Sequence, residues 1–258
     1  DDPHPFHQPL CGTPPTLQFA ATNRRVLMFK STLVKLAVVG ALAAPMAASA
    51  FVLGPTNPGK WGSPVFGTGA TVTWSYMGDG VDCSADGGGL CSSFASFMPA
   101  GFEASVNAAF AAWAAVADLT FMQIADGGEA FNAPGPSGDI RLGGHAFDGP
   151  SGVLAHGYFP PVNGDTAAGD IHFDTADSWK LGWGGPGFNI YQVLAHEVGH
   201  ALGLGHTDVP NSLMNPFYSE AFMGPQADDI AGMVYIYGPI PEPSTWALFA
   251  LGVAALSL

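Results

Sequence analysis

The sequence predicts an α+β domain spanning residues 57–238, and three observations carry that reading. Short runs alternate apolar and polar residues, one long segment repeats apolar residues at three- and four-residue spacing, and a histidine-rich helical run lies late in the chain, followed by one more helix. Ala70-Thr71-Val72-Thr73-Trp74-Ser75-Tyr76 alternates and is β-rich, so it reads as the first strand. From Phe102 to Leu119, Phe102, Val106, Ala109, Phe110, Trp113 and Val116 fall on one face of a long amphipathic helix that ends near Asp118. Thr120 to Ile124 and Asp139 to Leu142 read as the next strands, with two more at Gly152 to His156 and Asp170 to Phe173. Ile190 to Gly203 reads as a helix. Ala227 to Tyr237 reads as the last one, with Asp228 and Asp229 at its electropositive start. This order leaves a cleft between a sheet and a helix.

The histidine-rich run is His196-Glu197-Val198-Gly199-His200-Ala201-Leu202-Gly203-Leu204-Gly205-His206. Residues four apart share a helix face, so His196 and His200 can aim their imidazoles at one zinc ion. Glu197 projects beside them, placed to take a proton from a water at the metal. Gly203 allows the chain to leave the helix in a conformation costly for other residues, which brings His206 round as a third ligand. Three protein ligands leave one position open, the pattern of a catalytic zinc. Five fixed positions would match by chance in roughly one chain of this length in ten thousand.

The 258 residues carry 7 Lys+Arg against 21 Asp+Glu, a formal charge of −14. Nucleic acid is therefore not an expected partner, since phosphates need a basic footprint. Met28 to Lys35, the apolar run Leu36 to Met46 and Ala48-Ser49-Ala50 read as a secretory signal over residues 28–50, giving a mature start near Phe51. Residues 1–27 then precede a natural initiator Met28 and read as a non-native upstream extension. In an exported protein, Cys83 and Cys91 suggest a disulfide closing a Gly-rich loop, with two free thiols as the alternative.

The motif His-Glu-x-x-His-x-x-Gly-x-x-His is that of the metzincin zinc proteases, and the residues after it narrow the resemblance. Met214-Asn215-Pro216-Phe217-Tyr218 resembles the Met-turn of the matrixins, the matrix-metalloproteinase-like branch. The resemblance implies a twisted, mostly parallel sheet with an active-site helix and a C-terminal helix. It also implies Met214 beneath the metal, and Pro216 and Tyr218 as a wall of the pocket for the residue after the scissile bond. Phe147 to His156 and Gly169 to Trp179 resemble the matrixin segment that holds structural zinc and calcium. By that resemblance His156 and His172 fall on zinc positions, Asp148, Asp174 and Asp177 on one calcium site, and Asp139 with Asp170 on another; imidazole suits zinc and hard oxygens suit calcium. The family's His-x-Asp ahead of Phe-Asp-Gly is missing here. Arg141 to Phe147 contains His145 and no Asp, so three histidines would hold the second zinc with an unidentified fourth ligand, or His156 and His172 are polar strand residues.

Pro241-Glu242-Pro243 and the apolar run from Trp246 to Leu258 resemble a PEP-CTERM sorting signal, over residues 239–258, although the family's closing Arg cluster does not follow. The run is short for a bilayer span. That resemblance implies a Gram-negative bacterium, processing by an exosortase and association with extracellular polysaccharide. The leading function is a secreted zinc endopeptidase with Glu197 as general base and a polypeptide as substrate. The alternative is a matrix-associated binding or structural protein that keeps the fold without using it.

Overall fold

The computed structural model describes residues 4–7, 51–161 and 166–241. The expected signal segment, and the sorting segment beyond residue 241, lie outside them. The described residues fall in one of the chain's two compact units; the other, Leu10–Ala48, also lies outside.

A six-stranded sheet forms the centre. Its strands are β1 (His4–His7), β2 (Ala70–Tyr76), β5 (Leu119–Gln123), β6 (Ile140–His145), β7 (Val153–Gly157) and β8 (Ile171–Asp174), in the order β1-β7-β8-β6-β2-β5. β5, β2, β6 and β8 run parallel, whereas β7 is antiparallel to β8. Two short strands, β3 (Val81–Asp82) and β4 (Leu90–Cys91), pair as a hairpin between β2 and the helices α1 (Phe94–Phe97) and α2 (Phe102–Ala114). Another pair, β9 (Trp179–Lys180) and β10 (Phe188–Asn189), leads into α3 (Ile190–Ala201), and α4 (Ala227–Tyr237) closes the domain. The α+β class and mostly parallel sheet agree with the sequence-based expectation.

The core explains why α3 is rigid. Every residue of α3 but Tyr191 is buried, including the polar His196, Glu197 and His200. α2 packs on it through the apolar face read from the sequence: Val106, Ala109, Phe110 and Trp113 are buried, and Trp113 Nε1 donates to Ala195 O at 2.9 Å. Asn189 caps α3 by accepting from Gln192 N at 3.0 Å. At the other end Trp61 Nε1 donates to Ala201 O at 2.7 Å, and Tyr237 Oη of α4 donates to Leu202 O at 3.0 Å. A buried helix pinned at both ends holds its side chains in fixed positions, as a metal site requires.

Candidate metal centres

His196, His200 and His206 bring their ring nitrogens together, with ligand atoms all within 4.8 Å of one another. His196 Nε2 lies 3.3 Å and His200 Nε2 3.1 Å from His206 Nε2. In a regular tetrahedron with zinc–nitrogen bonds of about 2.0–2.1 Å, neighbouring ligands stand about 3.3–3.4 Å apart. Both separations from His206 are thus close to those of a zinc site. The opposite ring nitrogens explain the orientation. His196 Nδ1 lies 2.6 Å from Leu213 O and His200 Nδ1 2.7 Å from Leu204 O, so each Nδ1 carries the proton and each Nε2 presents its lone pair.

Glu197 stands between the two helical histidines in sequence and is fully buried, and neither of its carboxylate oxygens has a hydrogen-bond partner. Burial pushes its carboxyl well above the ordinary value. A buried carboxylate without a donor is costly in an apolar medium. A cation held by the three histidines would supply the missing counter-charge, so the orphaned oxygens fit a metal at this place.

The Met-turn beneath is held by one carboxylate. Asp229 of α4 accepts from Leu213 N at 2.7 Å, Met214 N at 3.0 Å and Gln226 N at 2.7 Å, and it also accepts from the Ser212 hydroxyl. This fixes the Leu213 carbonyl that orients His196. Met214 is buried, and its sulfur packs on Gly199 of α3, where an added Cβ would lie 2.4 Å from it. Tyr218 Oη accepts from Asn189 N at 2.9 Å and donates to Glu220, tying the segment that follows Met214 to the start of α3; Pro216 is half-buried.

A second cluster forms on the sheet itself. His145 ends β6, His156 lies on β7 and His172 on β8, on neighbouring strands of the ladder. The strand segments themselves offer no fourth member. The structure supplies one from outside the expected segment: Asp86, in the loop closed by the Cys83–Cys91 disulfide. Asp86 Oδ2 lies 2.8 Å from His145 Nε2, 2.9 Å from His156 Nε2 and 2.5 Å from His172 Nδ1, and Tyr158 Oη donates to Oδ1 at 2.5 Å. Burial alone would raise the Asp86 carboxyl, but the three imidazoles hold it far below the usual carboxylate range; burial lowers His172 to about 4. The only sequence signal for Asp86 is a lone acid inside a Cys-bounded glycine loop, and in a loop Asp is ordinarily a turn residue.

The carboxylates assigned to calcium are distributed differently. Asp174 and Asp177 are buried and each keeps one oxygen without a partner, while Asp177 Oδ1 accepts from Ser151 N at 2.6 Å. Burial first, then the charges of Asp174 and Asp148, raise Asp177 to about 6. Asp148 accepts from Val153 N at 3.1 Å. Asp170, fully buried, accepts from Arg141 N at 3.2 Å and leaves its second oxygen unpartnered, whereas Asp139 Oδ2 is taken by Thr73 N and Oγ1 at 2.8 and 2.7 Å. Among the described residues, these acids form no group of three converging within the 4.8 Å that unites the histidine clusters.

The family model described as Matrixin matches residues 92–238, and that of the PEP-CTERM protein-sorting motif matches residues 239–258. Matrix metalloproteinase-20 of Homo sapiens is 39% identical over 141 residues, covering 53% of this chain and 28% of that protein. Karilysin of Tannerella forsythia is 35% identical over 144 residues, again 53% of this chain and 28% of that protein, and interstitial collagenase of Oryctolagus cuniculus 38% over 143 residues, 54% and 29%. The chain thus spans less than a third of the length of the relatives it matches. The matched segment contains both histidine clusters except for Asp86, which precedes it, and on that match the chain belongs to the matrixin family.

Proposed function

We propose that this chain is a zinc-dependent endopeptidase acting outside the cell. The observation that carries the reading is the convergence of three imidazole nitrogens, two of the separations near the tetrahedral edge, beside the buried, partnerless carboxylate of Glu197. Zinc bound by His196, His200 and His206 would lower the pKa of a water at the open position and polarise the scissile carbonyl. Glu197 takes the proton of the attacking water on a carboxylate oxygen and passes it to the leaving nitrogen; its two oxygens, committed to no other donor, suit that task. The substrate lies antiparallel along β7, whose outer edge can accept a strand by β-augmentation. The pairing of β1 there, with His4 opposite Gly157 and His7 opposite Val153, supports this, since Gly157 adjoins Glu197. Pro216 and Tyr218 line the pocket for the residue after the scissile bond.

We read the second cluster, with His145, His156 and His172, as a structural zinc site, and Asp148, Asp174 and Asp177 as calcium ligands, with Asp139 and Asp170 serving another calcium. The sorting-motif match supports export to the cell surface or beyond. In this reading residues 28–50 are removed as a signal peptide in a Gram-negative cell, an exosortase processes residues 239–258, and the protein works near extracellular polysaccharide.

The deciding experiment is casein or gelatin cleavage by the purified protein. Cleavage should vanish when zinc is chelated and return when zinc is restored. Absence of cleavage with zinc bound would sink the endopeptidase in favour of a binding or structural role.

Calcium has its own test. A carboxyl raised in the folded state contributes stability below its unfolded pKa, and that stability is lost as pH climbs through the folded value, about 6 for Asp177. With a calcium-selective chelator present, Asp177→Asn should therefore raise Tm relative to wild type near neutrality and have little effect well below that value. Added calcium should stabilise the wild type more than the variant. Equal calcium responses would remove Asp177 from the ligand set.

A further inference from the structure

We infer that Asp86 is the fourth ligand of the second metal centre, and that the Cys83–Cys91 disulfide is the device that holds it there. The inference rests on the second cluster being a metal site. It goes further by placing a ligand in a segment, residues 83–91, that belongs to none of the strands bearing the histidines.

Four features support it. First, one oxygen, Asp86 Oδ2, faces all three imidazoles at 2.5–2.9 Å. Those separations are shorter than the edge of a zinc tetrahedron, about 3.3 Å, so an outward shift of only a few tenths of an ångström per ligand would make room for the ion. Second, the set is chemically complete: three nitrogens and one carboxylate oxygen make a closed four-coordinate site, as structural zinc takes. Third, the Asp86 side chain is only 4% exposed, so this is no chance surface acid. Fourth, Tyr158 donates to its other oxygen, the kind of outer contact that orients a ligating carboxylate.

The hairpin is built to deliver this side chain. Ser84–Asp86 forms a single 3-10 turn, with Asp86 N donating to Cys83 O at 2.9 Å and Cys83 N to Gly89 O at 2.7 Å. Ser92 and Gly144 exchange backbone hydrogen bonds of 2.7 and 3.1 Å, which tie the hairpin to β6 beside His145. Gly88 lies flat against that imidazole; a Cβ there would stand 2.2 Å from His145 Cγ. The Cys83–Cys91 bond closes this loop, restricting the alternatives open to a glycine-rich segment and reducing the entropy lost on fixing Asp86. The sulfurs themselves are not ligands. Cys91 Sγ is 3.9 Å from His172 Nε2, but both sulfurs are committed to the disulfide, and His172 faces Asp86 with its other nitrogen.

The test counts zinc in the full chain by mass spectrometry and follows its release to a competing chelator. Wild type should hold about two zinc ions and Asp86→Ala about one, the remaining ion being that held by His196, His200 and His206. Asp86→His should restore the second ion. Cys83→Ser combined with Cys91→Ser, which keeps Asp86 and adds no thiol, should release the second ion about tenfold faster or more. Loading with cobalt gives a readout that does not depend on Asp86→Ala folding: the visible absorption of the second site should change between wild type and Asp86→His, because an oxygen ligand becomes a nitrogen. Two zinc ions in Asp86→Ala, or an unaltered cobalt spectrum in Asp86→His, would overturn the ligand assignment. Unchanged release from the double serine variant would overturn the role of the disulfide. A wild type holding one zinc ion, lost in His200→Ala, would instead remove the second site itself.

Discussion

Glu197→Gln is expected to reduce kcat/KM on a peptide substrate by about 10²- to 10⁴-fold, the range that a positioned general base supplies, while zinc content stays at the wild-type level. The two readouts separate because of how Glu197 sits. It accepts no hydrogen bond within the fold, so replacing it breaks none. Glutamine is nearly isosteric, and α3 keeps its cap at Asn189 and its contact with Trp113. In the absence of the metal a buried, partnerless carboxylate is itself a destabilising element, which the variant lacks. In zinc-free protein it should melt higher near neutrality, because burial raises the Glu197 carboxyl and the stability associated with its protonated form is lost as pH rises through the folded value. Loss of activity together with loss of stability would point to a structural role, and undiminished activity would end the assignment of Glu197 as base.

How much of this architecture is legible in the sequence depends on the range of the interactions. The His196–His200 pair is legible because helix geometry is local: residues four apart share a face wherever the helix lies. The strand Ala70–Tyr76 and the helix Ala227–Tyr237 are readable at their full lengths, since each has a strong pattern and clear ends. The helix from Phe102 is shorter than its pattern suggests. Its apolar spacing continues to Val116, and Ala117 N still bonds back to Trp113 O, but the regular helix stops at Ala114 and Asp118 is drawn away by long-range bonds, its N donating to Gly238 O and its O accepting from Ala70 N. The two-residue strands of the β3–β4 and β9–β10 pairs are too short to show any period. Asp86 is invisible for a related reason. It stands 59 residues before His145, and only the folded sheet and the closed hairpin bring the two together. A resemblance mapped segment by segment does not point to a ligand lying outside the mapped segment.

Gly203→Ala is the substitution expected to damage the fold most. α3 ends at Ala201, Leu202 caps it, and Gly203 takes φ +110°, a region that side-chain-bearing residues avoid. Conformation is only half the cost. A Cβ at this position would stand 2.2 Å from Gly59 O, a backbone atom with no rotamer to yield. The opposing segment is anchored close by, with Trp61 N donating to Tyr237 Oη at 3.1 Å and Trp61 Nε1 to Ala201 O at 2.7 Å. Strain and overpacking together should cost roughly 2–5 kcal/mol, which for a domain of this size lowers Tm by on the order of 5–15 °C. The chemistry suffers by the same displacement. Gly203 N bonds to His200 O, Leu204 O orients His200 Nδ1, and His206 lies three residues on, so two of the three ligands depend on this turn. Zinc should therefore leave the variant faster than it leaves Gly157→Ala, where the added methyl meets Glu197 at a tight but tolerable 3.1–3.2 Å and leaves the ligands' supports intact. If Gly203→Ala melts with wild-type Tm and holds zinc as firmly as wild type, the turn is not what positions His206, and the third ligand owes its place to the Met-turn alone.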